Sequence, residues 1–269
     1  MPAVTDWQEV GEGIWTRRYS PYSVNVTAID VGGGFVLIDT RGSMTQGREL
    51  AADVGSLAAQ PVLAVVNTHE HFDHTFGNGA FDVPTWGHTR CAEHLSSSGE
   101  QQRAAAQSWV PEEAHDELNE SPIVPPDNTF DDEATLDVGD REVRLLHLGR
   151  GHTDNDVIIV VEESDVVIAG DLVEEGAPPA FGDAYPFDWP QTVERMLEHV
   201  SGPVVPGHGE IVDEAFVRRQ QRELAGVAVM ASKHLEEGAP LSAMIDGGPF
   251  PADVMELAIE RARLEQAGR

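Results

Sequence analysis

The chain has 269 residues, 41% of them hydrophobic and 24% charged, an ordinary composition for a globular protein with ample length to bury a core. Lys and Arg number 17 against 47 Asp and Glu, a formal net charge of −30, so the surface repels nucleic acid and anionic membranes and a nuclease role loses ground. No apolar run approaches ~18 residues, no basic-then-apolar leader opens the chain, and Cys91 is its sole cysteine. The expectation is therefore a cytoplasmic protein without a membrane span or internal disulfide, its thiol buried for packing.

The first third reads as strands and then a helix. Residues 13–19, 24–30 and 34–39 alternate or run apolar, punctuated by Gly32-Gly33-Gly34. Residues 44–58 place Leu50, Ala51, Val54 and Leu57 on one helical face. The apolar run 61–67 predicts a buried strand, and it leads directly into His69-Glu70-His71-Phe72-Asp73-His74. Three histidines and an aspartate in six residues arise by chance in about one chain in a thousand of this composition. A rigid strand ending in such a cluster delivers several metal ligands from one point. Imidazole nitrogen with carboxylate oxygen suits zinc, and to a lesser degree iron or manganese.

Residues 73–79 predict a short helix, 84–87 a strand, and 89–95 a helix carrying Cys91. The polar stretch 96–119 reads as an irregular or helical insertion, and 121–128 as a proline-rich loop. The strand pattern resumes at 134–138, 142–148, 157–162 and 166–169, with hairpin turns at Gly139-Asp140 and Ser164-Asp165. Three lone ligand-type residues fall where these strands break into loops: His152, Asp171, and His208 after the short strand 204–205. Taken singly each reads as structural. Together with the first cluster they make seven donors, the number a two-metal site requires.

Residues 188–200, 213–235 and 252–264 read as helices, and the two strand-rich halves suit a two-sheet sandwich. The expected division is a metal-binding domain at 1–212 and a helical extension at 213–269, serving packing or homodimer contact. His88, His94, His115, His147, His199 and His234 lack ligand-like partners and read as structural or surface residues. The loop 173–189 is rich in Pro, Gly and aromatics, Phe181, Tyr185, Phe187 and Trp189 among them.

With His69-x-His71-x-Asp73-His74 followed by His152, Asp171 and His208, the chain resembles the metallo-β-lactamase-fold hydrolases from about residue 10 to about residue 212. The resemblance implies an α/β fold, a four-layer αββα sandwich. It implies two Zn2+, with Fe or Mn as other candidates. His69, His71 and His152 would hold the first metal, Asp73, His74 and His208 the second, and Asp171 would bridge them. Asp171 stands where the best-known zinc β-lactamases carry Cys and is similar to the glyoxalase II, lactonase and phosphodiesterase branches. His71 in place of Glu counts against the di-iron flavoprotein branch. Glu174 takes the position, three residues past the bridging Asp, where lactonase-like relatives often place Tyr, and Arg150 is the single candidate for glutathione carboxylates. The loop 173–189 would border the cleft.

A metal-bound water ionises near neutral pH. The expected function is a binuclear zinc hydrolase whose metal-bridging hydroxide opens an ester, thioester, lactone or cyclic amide bond in a small-molecule substrate, a β-lactam being a subordinate case. Asp73 is the expected catalytic residue, accepting a hydrogen bond from the nucleophile and passing a proton to the leaving group. The alternative is a mononuclear iron sulfur dioxygenase of the same fold. A catalytically idle binding protein would be marked by a missing ligand.

Overall fold

Successive residues of the strands point into different apolar surroundings, and that alternation lays out the layers. The protein is represented by a computed structural model that describes residues 6–268. One half of the β-structure comprises β1 (Gln8–Gly11), β2 (Ile14–Tyr19), β3 (Val24–Asp30), β4 (Phe35–Ile38), β5 (Val62–Val66), β6 (Thr85–His88) and β7 (Asn128–Phe130). The other comprises β8 (Glu133–Leu136), β9 (Val143–Leu146), β10 (Ile158–Val161), β11 (Val166–Glu174) and β12 (Val204–His208). The strand path runs β7-β6-β5-β4-β3-β12-β11-β10-β9-β8, with β2 also on β3 and β1 on β2. Strands β4 to β7 are parallel neighbours, as are β11 and β12, and the remaining pairs are antiparallel. Among the described residues, strand pairing joins the two halves at His208 with Val24.

The helices are α1 (Met44–Val54), α2 (Phe72–Thr75), α3 (Thr89–Ala106), α4 (His115–Glu120), α5 (Trp189–Met196), α6 (Glu214–Leu235), α7 (Leu241–Asp246) and α8 (Ala252–Ala267). In β10, Ile159 and Val161 face the other half of the sheet, while Ile158 and Val160 face the helices. Between the halves, Ile29, Val36, Ile38 and Val66 meet Leu145, Ile159, Ile168 and Val205. On one outer face Val26, Leu37 and Val65 pack on Leu50 and Val54 of α1. On the other, Val160, Val167 and Val204 pack on Val193 of α5, Leu224 of α6 and Ile259 of α8. The result is the α/β/β/α sandwich, with each fully buried Ile, Leu or Val contributing about 1.5–3 kcal/mol from burial.

Two elements extend past their sequence pattern for physical reasons. Helix α3 is 18 residues long, and its inward stripe is Cys91, Leu95, Gly99, Arg103 and Ala106. A buried arginine in that stripe hides the apolar period; its guanidinium donates to the carbonyls of Asn119 at 2.9 Å and Ser121 at 2.8 Å. Strand β11 continues through Gly170 to Glu174, so Asp171 lies inside a strand. Gly170 has φ +52°, and a Cβ there would sit 2.8 Å from Thr68 Cβ, so the break in the apolar run is a kink required by close packing. Strand β1 and helix α7 carry no pattern strong enough to announce them. No helix among the described residues is long and apolar enough to cross a membrane.

Ile159, fully buried between the halves, sets the cost of disturbing the central layer. Ile159→Ala is expected to lower the unfolding free energy by about 2–5 kcal/mol in urea titrations of the metal-free protein. Leu264→Ala, on the exposed face of α8, is expected to change it by less than about 0.5 kcal/mol.

Candidate metal centre

The carboxyl ends of β4, β5, β11 and β12 open onto one place, at the seam where β3 meets β12. Strand β5 leads through Asn67 and Thr68 into His69, His71, Asp73 and His74, the last two on α2. The loop after β9 brings His152, β11 brings Asp171, and β12 ends on His208. Donor atoms of His69, His71, His152 and Asp171 lie within 4.8 Å of one another, as do those of Asp73, His74 and His208. His74 Nε2 and His208 Nε2 are 3.3 Å apart, and Asp171 reaches both sets. Its Oδ2 is 3.4 Å from His152 Nε2, 3.8 Å from His69 Nε2 and 3.3 Å from His208 Nε2, and its Oδ1 is 3.3 Å from His74 Nε2. Asp73 Oδ2 is 3.4 Å from His208 Nε2. All seven donors expected from the sequence are thus brought together, with Asp171 between the two groups.

These separations suit metal ions. Ligand atoms about 2.0–2.1 Å from a tetrahedral zinc sit about 3.3 Å apart. His69 Nε2 and Asp171 Oδ1 are buried and make no hydrogen bond, and both lie in the cluster where a cation would satisfy them.

The outward ring nitrogens are held by the protein, which turns the inward ones toward the cluster. His74 Nδ1 donates to Asp39 Oδ2 at 2.8 Å. The same oxygen accepts from Thr68 Oγ1 at 2.8 Å, which in turn accepts from His69 Nδ1 at 3.0 Å. Asp39, held at φ 64° just after β4, therefore orients two rings at once. His208 Nδ1 donates to the Tyr22 carbonyl at 2.8 Å, and His71 Nε2 to Asp183 Oδ2 at 3.0 Å. Each bond fixes the outer nitrogen as the donor and turns the inner nitrogen toward the cluster, the orientation a metal ligand needs. Gly207 makes room for the centre: a Cβ there would lie 1.8 Å from Asp171 Oδ1.

The electrostatics also call for positive charge. Burial pulls the Asp171 carboxyl upward, yet His208 and His74 outweigh it and hold the group well below the usual carboxylate range. Burial opposes charging His208, but Asp171 and Asp73 raise it to about 9. Burial, helped by the neighbouring imidazoles, outweighs Asp171 at His69 and His152, lowering the first well below its ordinary value and the second to about 4. Glu174, 3.8 Å from His152 Nδ1, is pushed up to about 8 by burial and by the Asp171 charge.

The loop 173–189 does reach the centre, although through a residue its aromatic content does not advertise, Asp183. Tyr185 lies beside it, its backbone N–H donating to the Gly151 carbonyl at 2.8 Å and its ring 4.4 Å from the Arg150 guanidinium. Asp39 and Asp183 are the functional candidates that sequence reasoning missed. Asp39 had a signal, a carboxylate directly after the apolar run Phe35-Val36-Leu37-Ile38, whereas Asp183 had none. Of the remaining histidines, His94 pairs with Asp154 at 3.1 Å, and His88 and His147 stack with ring centroids 4.2 Å apart.

The profile of the metallo-beta-lactamase superfamily matches residues 19–208. The metallo-beta-lactamase type 2 of Bacillus cereus is 24% identical over 198 residues, covering 72% of this chain and 70% of that protein. The human acyl-coenzyme A thioesterase MBLAC2 is 28% identical over 217 residues, 72% of each chain. Among solved structures, a metallo-beta-lactamase from Pontibacter korlensis superposes with a TM-score of 0.68 at 21% identity, over 83% of this chain and 99% of that one. FIM-1 of Pseudomonas aeruginosa superposes at 0.67 with 17% identity, over 84% and 96%.

Asp39→Asn keeps a residue that tolerates φ 64° while removing the charge that orients His74 and, through Thr68, His69. It is expected to weaken zinc binding by about 10–100-fold in competition with a chromogenic chelator. An unchanged affinity would show that the two rings do not depend on it.

Proposed function

The chain belongs to the metallo-beta-lactamase superfamily, and on that premise we propose that it is a binuclear zinc hydrolase opening an ester, thioester, lactone or cyclic amide bond in a small molecule. That it is a metal-dependent hydrolase agrees with the activities named for its relatives. The observation that carries the finer reading is the pair of complete donor sets sharing Asp171. His69, His71 and His152 would hold one zinc, Asp73, His74 and His208 the other, with Asp171 common to both. Bound zinc supplies Lewis-acid polarisation of a carbonyl and a lowered pKa for water.

The protein's own groups account for the proton. Hydrolysis joins a water oxygen to the carbonyl carbon, breaks the bond to the leaving oxygen, sulfur or nitrogen, and moves one proton from water to that leaving atom. Asp73 Oδ2 is placed to carry it: the side chain stands at the mouth of α2, partly open to solvent, beside His208. Carboxylate at that point accepts the proton and releases it without leaving the site. Tyr22 and Phe72 pack edge to face with centroids 5.4 Å apart next to Asp73 and give this side of the site an apolar wall. Tyr185, its ring against the Arg150 guanidinium that Asp188 and Glu265 pair, flanks the His152 loop and would offer an aromatic surface to a substrate. A thioester substrate is supported by the human relative named an acyl-coenzyme A thioesterase, and a β-lactam by the Bacillus enzyme.

Elemental analysis of purified protein is expected to give about two zinc per chain, with turnover on a panel of small esters, thioesters, lactones and β-lactams. Asp73→Ala and His208→Ala are each expected to abolish that turnover. One iron per chain, with oxygen uptake on a persulfide and no hydrolysis, would overturn the proposal in favour of a sulfur dioxygenase.

A further inference from the structure

Helix α8 begins at residue 252, well beyond residue 208 where the superfamily match ends, yet two of its side chains reach the loop that touches the metal centre. Arg261 Nη2 donates to the backbone carbonyl of Asp183 at 2.7 Å and to that of Ala184 at 3.2 Å, and its Nε donates to Ala184 again at 3.3 Å. One helical turn on, Glu265 accepts from the Phe187 backbone N–H at 2.8 Å. The guanidinium and the carboxylate thus grip the loop on either side of Tyr185. The gripped loop presents Asp183 Oδ2 to His71 Nε2 at 3.0 Å, while His71 Nδ1 faces His152 Nε2 at 2.8 Å.

We propose that Arg261 and Asp183 form a positioning relay through which α8 sets the metal affinity of the donor set containing His71. The inference rests on the metal assignment made above. Asp183 is half exposed, at 52%, so a long-range field from it would be screened, and its influence on His71 depends on the short direct hydrogen bond. That bond needs the loop backbone held in place. No strand ladder holds residues 175–188; the Tyr185 amide ties the loop to the Gly151 carbonyl at 2.8 Å, and the planar Arg261 fork, engaging two consecutive carbonyls, holds the two residues before it, Asp183 included. A carboxylate accepting from the outer nitrogen of a ligating histidine fixes the ring and raises its basicity, and losing such a partner costs about 10–100-fold in metal affinity. Arg261 and Asp183 are positioning residues; neither lies among the seven donors.

The test is zinc affinity, measured by chelator competition on the metal-free full chain, for Asp183→Ala, Asp183→Asn, Arg261→Met and the double variant Asp183→Ala/Arg261→Met. Thermal unfolding of each metal-free variant is recorded alongside. Asp183→Ala and Arg261→Met are each expected to weaken the tighter zinc by about tenfold or more. The double variant is expected to lose no more than the worse single one, because both act on one contact. Asp183→Asn, which can still accept from His71 without the charge, is expected to fall between wild type and Asp183→Ala.

An affinity unchanged in Asp183→Ala overturns the proposal. So does an Arg261→Met protein that melts earlier but binds zinc as wild type, or losses that multiply in the double variant. Should Arg261→Met fail to fold, Arg261→Lys, which keeps the charge and loses the fork, takes its place under the same criteria. Wild-type protein that binds zinc and hydrolyses nothing would overturn the functional reading and leave this one standing. Wild type that binds and hydrolyses, with the variants unaltered, would overturn this one alone.

Discussion

Five imidazoles and two carboxylates converge at the seam between the halves of the sandwich, with donor atoms of neighbouring residues as little as 2.8–3.4 Å apart. With its inward nitrogens unprotonated, such a cluster sets lone pair against lone pair and strands buried polar atoms unless a cation or protons sit within it. The seam makes this a constraint on the whole molecule. His69, His71, Asp73 and His74 come from the first half and His152, Asp171 and His208 from the second, while among the described residues the strand ladders of the halves pair at His208 and Val24. Ions held by these residues would cross-link the two sheets, so that binding energy becomes folding energy.

The surrounding structure is arranged to aim the donors. Asp39 ties two rings through one carboxylate and the Thr68 hydroxyl, and Tyr22 lends a backbone carbonyl to His208. The bare backbone of Gly207 lets the last strand pass beside Asp171. His152 is the exception: its Nδ1 is buried without a hydrogen bond, and the nearest carboxylate, Glu174, stands 3.8 Å away. Its loop is instead fixed by its own side chains, with the Asp156 carboxylate accepting from the Thr153 amide and hydroxyl and the Asn155 side-chain oxygen accepting from the Glu70 amide.

Fold and chemistry separate cleanly in this protein. The solved structures that superpose on it share about a fifth of their residues with it, which speaks to the arrangement of layers and not to a substrate. What distinguishes substrates within such a fold is the loops around the metal centre. Here the loop between β11 and α5 and the helices after residue 213 are joined through Arg261 and Glu265. The outer face of the second half is a single apolar core shared by α5, α6 and α8, which gives those two side chains a rigid base.

The sequence by itself determined the residue types and their local placement. Period-two apolar runs announced most strands, the 3.6-residue period announced α1, α6 and α8, and the His69–His74 cluster named a metal chemistry, because all of these depend on neighbours a few residues apart. It said less where a charged residue occupied an inward position, as Arg103 does in α3, or where a strand kinked at Gly170. Tertiary structure alone decided which side chains stand behind the donors. Asp39 meets His74 across 35 residues, Asp183 meets His71 across 112, and Arg261 meets Asp183 across 78. Such contacts leave no periodic trace in the chain, since they are set by how sheets, loop and terminal helix pack in space.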